Sequence, residues 1–192
     1  MPQMISPEAR RALLNEARHA VAEHLAGRRA PVPPADGVFA MRAGVFVSFH
    51  RAGALRGCIG HPDGDRTLAE VVGRSAIAAA TEDPRFDPVD ADELAACDIE
   101  ISVLGRIARV DDPSTIAVGR HGLIIEQGWH RGLLLPQVAE EHGFDRDQFL
   151  AQTCLKAGLP RDAWKRGATI YSFEAEVFGD LDHGNLPRPG RR

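Results

Sequence analysis

No apolar run in this 192-residue sequence is long enough to span a bilayer, and Met1-Pro2-Gln3-Met4-Ile5 carries no signal-peptide core. A membrane protein is therefore not expected, and a reducing cytoplasm is the expected compartment. Cysteine is scarce. Cys58, Cys97 and Cys154 are odd in number and far apart, which excludes a disulfide framework. Basic excess is missing as well, because 23 Lys+Arg against 27 Asp+Glu leave a net charge of -4. That balance argues against nucleic acid as a partner. The only basic cluster, Arg188 to Arg192, is a short tail. The sequence also lacks a phosphate loop, a dinucleotide glycine fingerprint, a zincin histidine pair and a hydrolase nucleophile elbow. Cys58 and His61 form one Cys-x-x-His pair, half a metal site at most, and no second pair stands at ligand spacing. Neither a metal nor a cofactor is expected.

What remains is an ordinary globular composition, 44% hydrophobic and 26% charged, enough for one full core or two small interlocked subdomains. Ser6-Pro7-Glu8 opens a helix with a capping residue, a proline at the first position and an acid in the first turn. Leu13, Leu14, Ala17, Val21 and Leu25 recur at helical spacing until Gly27. Pro31-Val32-Pro33-Pro34 then reads as an extended connector. Residues 1–36 form this helix and linker, residues 37–179 the main domain, and residues 180–192 a loose tail.

The main domain opens on a hairpin, Gly44 to His50 and Ala54 to Ile59 about Arg51-Ala52-Gly53. Val45, Val47 and Phe49 alternate with Phe46, Ser48 and His50, so one face is apolar. Strict alternation on the second strand puts Leu55 and Ile59 on the core side, with Arg56 and Cys58 together on the other. Thr67 caps a helix from Leu68 to about Ala80, and Thr81-Glu82-Asp83-Pro84-Arg85-Phe86-Asp87-Pro88 reads as a fixed loop. Asp92 to Ala95 is a helical turn before a strand from Asp98 to Leu104 that runs on to Val110. A second hairpin surrounds Gln127-Gly128-Trp129, helices follow Pro136 and Asp145, and Thr169 to Phe178 forms the last strand. The class is α+β, a largely antiparallel sheet with flanking helices and one sheet-based core. An internal hairpin–helix–strand duplication stays open beside a single non-repeated unit.

Cys58 is the centre of the candidate chemistry. A guanidinium at Arg56 would favour the thiolate, and Gly57 and Gly60 would leave bare backbone for a ligand. The alternative is a small buried cysteine beside a strand irregularity. Arg85 is expected either to join Arg56 in holding a carboxylate or phosphate, or to pair with Asp83 or Asp87 while Thr81 and Asp83 cap the helix end. His121, before a buried strand, is either a base to Cys58 or a satisfied structural histidine. Trp129 at the hairpin tip is the candidate contact point for a partner.

Six segments then stand in a fixed order: Leu55-Arg56-Gly57-Cys58-Ile59-Gly60, Thr81-Glu82-Asp83-Pro84-Arg85-Phe86, Glu100-Ile101-Ser102-Val103-Leu104, His121-Gly122-Leu123-Ile124-Ile125, Leu134-Leu135-Pro136-Gln137-Val138 and Thr153-Cys154-Leu155-Lys156-Ala157-Gly158-Leu159. Together they resemble the AMMECR domain family, whose prokaryotic members are called AmmeMemoRadiSam system protein A, from about Gly37 to Gly179. The resemblance implies two α+β subdomains sharing a cleft lined by the Cys58 segment. It also implies association with a Memo-like protein and a radical S-adenosylmethionine enzyme. It supplies no mechanism. Two functions are carried forward: an enzyme or modification factor using Cys58 and His121 on a small anionic molecule, with Arg56, Gly57, Gly60, Asp83 and Arg85 as ligand holders; or a ligand- or partner-binding module.

Overall fold

A computed structural model describes residues 5–181. The chain divides into two compact units, residues 5–104 with 176–181, and residues 105–175. Among the described residues there are five α-helices and two four-stranded antiparallel sheets, an α+β fold. The expected single core is instead two separate clusters of buried side chains. The part of the tail from residue 182 onward, including Arg188 to Arg192, lies outside the described residues.

In the first unit, helix α1 (Pro7–Leu25) starts where expected, with the Ser6 side chain accepting from the Ala9 N–H. Its Leu13, Ala17 and Val21 face the core. Strands β1 (Val45–Arg51) and β2 (Ala54–His61) form the first hairpin. Its turn residues Ala52 and Gly53 sit at φ 50° and 78°, matching the right-handed twist of the strands. Helix α2 (Leu68–Thr81) begins with a complete capping box between Thr67 and Glu70. Its slim face of Ala76, Ala79 and Ala80 is buried, as the alanine run requires for close packing on a sheet. A short helix α3 (Ala91–Ala95) leads into β3 (Cys97–Leu104).

The first sheet has the order β2-β1-β3-β8, with β8 spanning Ala175–Gly179. Val45, Val47 and Phe49 of β1 stand opposite Val103, Ile101 and Ile99 of β3, and all six are buried in the first cluster. Phe46, Ser48 and His50 therefore share the other face with Ser102, Glu100 and Asp98. Arg10 pairs with Glu176 at 2.7 Å and Arg18 with Asp180 at 2.6 Å, so α1 is tied to the returning end of the chain.

In the second unit β4 (Ala108–Arg109), β5 (Gly122–Gln127), β6 (His130–Leu134) and β7 (Thr169–Phe173) form a sheet of order β4-β7-β5-β6. Helices α4 (Pro136–His142) and α5 (Arg146–Lys156) follow, and Phe149, Leu150 and Cys154 of α5 are buried with Leu123, Ile125 and Ile170. Two strands expected to be continuous are broken. The strand from Asp98 ends at Leu104 rather than running to Val110. The strand from Thr169 divides at Glu174 into β7 and β8, which belong to different sheets. In both places the chain passes from one unit to the other, and Gly105 N–H donates to the Glu174 carbonyl at 2.7 Å where the two crossings meet. At Glu174 the alternation of Tyr171, Phe173, Ala175 and Val177 with polar residues continues straight through the crossing, so periodicity alone does not register it.

Candidate functional site

The register of β2 decides which side chains surround Cys58. Ile59 stands opposite Val47, Cys58 opposite Ser48 and Gly57 opposite Phe49, but the next pair is Leu55 with His50. Arg56 is thus the extra residue of a β-bulge, and the alternation expected for Leu55 and Arg56 inverts there. Leu55 shares a face with His50 and Cys58, not with Ile59. The Arg56 side chain turns to α3 and the loop before it. Its Nε and Nη2 donate to Glu93 at 2.6 and 2.9 Å, and its Nη1 donates to the Asp87 carbonyl at 2.7 Å.

The carboxylate of Asp83 fixes Cys58 instead. Asp83 is 5% exposed. Its Oδ2 accepts from the Cys58 N–H at 2.9 Å and from Arg85 Nη2 at 2.7 Å, and its Oδ1 accepts from Arg85 N–H at 3.1 Å and Nε at 2.9 Å. Four donors occupy both oxygens. The Arg85 guanidinium beside it holds the Asp83 carboxyl far below the usual carboxylate range, against the opposing pull of burial. Asp83 is therefore an internal anchor of the β2 edge and of Arg85, and its oxygens are spoken for before any ligand arrives. Thr81 Oγ1 donates to the Ile77 carbonyl at 2.8 Å at the end of α2, so the loop has the structural role that was one of its two expected readings.

Because the Cys58 N–H points away from β1, Cys58 and Ser48 form a non-hydrogen-bonded pair, the type that brings side chains closest. The Ser48 side chain, opposite Cys58 in the register, acts to lower the thiol's pKa. Burial nevertheless pushes the Cys58 thiol up. Ser48 and then Arg85 act in the lowering direction, while Asp83 and Glu100 add to the rise. The expected thiolate is thus not favoured, and the cation acting on the sulfur is Arg85, not Arg56. Sequence reasoning missed Ser48 and Glu100 as neighbours of the thiol. The signal was present in the alternation of β1, which already sets Ser48 against the apolar face.

Gly57 and Gly60 also have a different reason from bare backbone for a ligand. A methyl group on Gly57 would land on the Ala79 carbonyl oxygen of α2, and one on Gly60 would meet the Val45 carbonyl oxygen and the Phe46 ring. Both glycines permit close packing within the unit.

Arg56 and Arg85 come together with Phe86. Their guanidinium carbons lie 6.0 and 5.4 Å from the centre of its ring, within cation–π range. These three residues, with Pro84 and Asp87, line an open depression of about 450 Å³. The Arg85 side chain is 55% exposed against 17% for Arg56, and Arg85 Nη1 has no protein partner among the described residues. Local charge is balanced, since Arg51, Arg56 and Arg85 stand with Asp83, Asp87 and Glu93. An anion would be held here by directed N–H groups rather than by a strong net field.

His121 lies in the second unit, just before β5, where its Nδ1 accepts from the Ala117 N–H at 3.1 Å. Cys97 and Cys154 are buried in their respective clusters, and Trp164 packs against the second. Trp129 is 97% exposed at the tip of the second hairpin. Among the described residues no group of three or more His, Cys, Asp and Glu side chains could hold a metal ion. No described helix is long and apolar enough to cross a membrane.

Fold and site together define a two-unit α+β protein whose polar chemistry gathers at an edge strand of the first sheet. The family described as AMMECR1 matches residues 14–178, and the chain belongs to it. A protein of Methanosarcina mazei is 43% identical over 93% of this chain and 95% of its own length. One from Thermococcus kodakarensis is 45% identical over 86% of this chain and 87% of its own. The crystal structure of the uncharacterized protein PH0010 from Pyrococcus horikoshii is similar at a TM-score of 0.83 and 40% identity, covering 88% of this chain and 90% of that one.

Proposed function

We propose that this protein is a ligand-binding module that receives a small carboxylate or phosphate group in the depression over Phe86. Arg85 is its donor, and the Arg56 guanidinium, already bonded to Glu93 and to the Asp87 carbonyl, adds its positive charge. The observation that carries the reading is the Arg56–Phe86–Arg85 arrangement. Two guanidinium groups are fixed by Glu93 and Asp83 and laid over one ring, with Arg85 Nη1 left for a guest. Anchored forks of this kind lose little freedom on binding and match the geometry of carboxylate and phosphate.

The competing reading, an enzyme with Cys58 as nucleophile and His121 as base, needs a thiolate. The burial that raises the Cys58 thiol works against one in the resting protein. Cys58 serves in this account as a neutral thiol on the strand that Asp83 anchors. The chemistry belongs to partners, and the family resemblance nominates a Memo-like protein and a radical S-adenosylmethionine enzyme.

Thermal shift with inorganic phosphate and with caproate tests the reading. Both ligands should raise the melting temperature through linkage to the native state, and added sodium chloride should weaken the effect. Arg85→Ala should abolish it. No shift with either anion, or an equal shift in Arg85→Ala, overturns the proposal.

A further inference from the structure

Between α1 and α2 of the first unit lies a second hollow, of about 210 Å³. Glu16, Ala20 and His24 recur every four residues on α1 and so share the face that borders it. Gly73, Arg74 and Ile77 border it from α2. Gly27 ends α1 at φ 71°, and Arg28 is pinned back on α1 by Glu23 at 2.6 Å. The connector thereby brings Pro31 and Val32 to the rim, where the Val32 side chain stays exposed. A methyl group on Gly73 would stand 3.0 Å from both the Ala20 Cβ and Glu16 Oε1, so this glycine lets the Glu16 carboxylate lie against α2. Glu16 is half-buried there, and burial pushes its carboxyl up against the opposing pull of His19. Among the described residues its carboxylate has no hydrogen-bond or ion-pair partner. Glu70, the other carboxylate at the hollow, already accepts from Thr67 at the start of α2. Arg29 and Arg74 also border the hollow, and neither pairs with a carboxylate among the described residues.

We infer that this hollow binds a small α-amino acid with an apolar side chain. Its ammonium group meets Glu16, its carboxylate meets Arg74 and Arg29, and its side chain lies on Ala20, Ile77 and Val32. An ammonium brings the counter-charge that Glu16 lacks, and a charge-assisted contact gains strength as water is excluded. A plain amine would also meet two unpaired guanidinium groups, and a plain carboxylate would meet Glu16. Arg74 directly follows the glycine against which Glu16 lies, so opposite charges border one end of the hollow, as the closely spaced ends of an α-amino acid require. The volume is below the roughly 300–1,000 Å³ of pockets that take drug-sized ligands, which limits the guest to a small molecule. Ala20, Ile77 and Val32 offer no hydrogen bond to a polar side chain, which would lose water without compensation. The site shares no residue with the depression over Phe86 and stands independently of the anion proposal.

Calorimetric titration tests the inference in the full chain carrying Arg85→Ala, so that no anion held over Phe86 contributes. The probes are free leucine, isoamylamine, isocaproate and serine. Isoamylamine is leucine without its carboxylate, isocaproate is leucine without its amine, and serine lacks the apolar side chain. Leucine should bind at one site, and each of the other three about fivefold or more weaker, the scale of one partly exposed contact. Adding Glu16→Gln should weaken leucine by a similar factor and leave isocaproate unchanged. No binding of leucine, or equal binding with and without Glu16→Gln, overturns the site. Isoamylamine, isocaproate or serine binding as tightly as leucine overturns the assignment to an apolar amino acid. A urea titration without ligand supplies a second readout. Glu16→Gln should leave the midpoint unchanged or raise it, because it removes a half-buried charge that has no partner. A fall in the midpoint would mean that the carboxylate is already engaged within the protein, and would refute the inference.

Discussion

Replacing Asp83 by alanine should loosen the first unit at Cys58 more than any other single change on the loop. The buried carboxylate accepts four hydrogen bonds, one from the Cys58 N–H and three from Arg85. Removing it leaves the Cys58 N–H without its acceptor at a half-buried edge, a loss of about 1–3 kcal/mol. The three Arg85 bonds are worth less, because that side chain is 55% exposed and water replaces its partner; about 0–1 kcal/mol is reasonable. The expected total is about 1–4 kcal/mol. For a chain of this length that corresponds to a fall in melting temperature of roughly 2–16 °C. The measurement is a urea titration, in which the midpoint should fall without a change in slope.

The sign of the pH dependence is fixed as well. The Asp83 carboxyl has its pKa depressed in the folded protein, so its contribution is fully present above the unfolded value of about 3.9. It is lost as pH falls from there toward the folded value. The gap between the native protein and Asp83→Asn should therefore be constant from pH 5 to 7 and narrow below about pH 4. A loss under 1 kcal/mol in Asp83→Ala, or a gap that widens in acid, would refute this account of the anchor.

Three further predictions follow from the same geometry. Gly57→Ala should cost about 1–3 kcal/mol, because its methyl group meets backbone of α2 rather than a movable side chain; a neutral effect on the urea midpoint would mean that β2 and α2 are not in that contact. Thr67→Ala should cost about 1 kcal/mol through loss of the capping box, read by the same titration, and Glu70→Gln should retain most of that stability. Cys58 should alkylate before Cys97 and Cys154, because only Cys58 is not fully buried. Its rate should still be rising at pH 9, as the raised thiol requires, with Ser48→Ala raising the pKa further and Glu100→Gln lowering it. A plateau near pH 7 would show a stabilised thiolate and restore the nucleophile.

Much of the architecture was legible because its signals are local. Ser6-Pro7-Glu8, Thr67 and Asp145 mark helix starts through capping chemistry, and all three serve as caps. The hairpins were legible from apolar runs around turn residues. What periodicity missed were changes of register and of sheet. The bulge at Arg56 inserts one residue into β2 and reverses its alternation; Gly57 signals a strand irregularity there, but not which residue is inserted. Glu174 divides β7 from β8 within an unbroken alternation.

The candidate site was legible as a set of residue types and misread as a set of partners. Asp83, Arg85 and Cys58 do come together, and Arg56 shares the Phe86 ring with Arg85. The partner of Arg56, however, is Glu93, 37 residues further along the chain, and no spacing rule links the two. A guanidinium two residues from a cysteine looked like its activator because strict alternation was assumed. With one extra residue in the strand, the same guanidinium serves a carboxylate elsewhere.

The central claim is that Arg85, anchored by Asp83 and set over Phe86, holds an anion. Calorimetric titration of caproate into the whole protein and into Arg85→Ala tests it most directly. The account predicts one site per chain in the native protein and binding at least fivefold weaker in Arg85→Ala, with Asp83→Asn also weakened because its Arg85 is no longer fixed. Equal affinity in the native protein and Arg85→Ala, or no binding to the native protein, would contradict it.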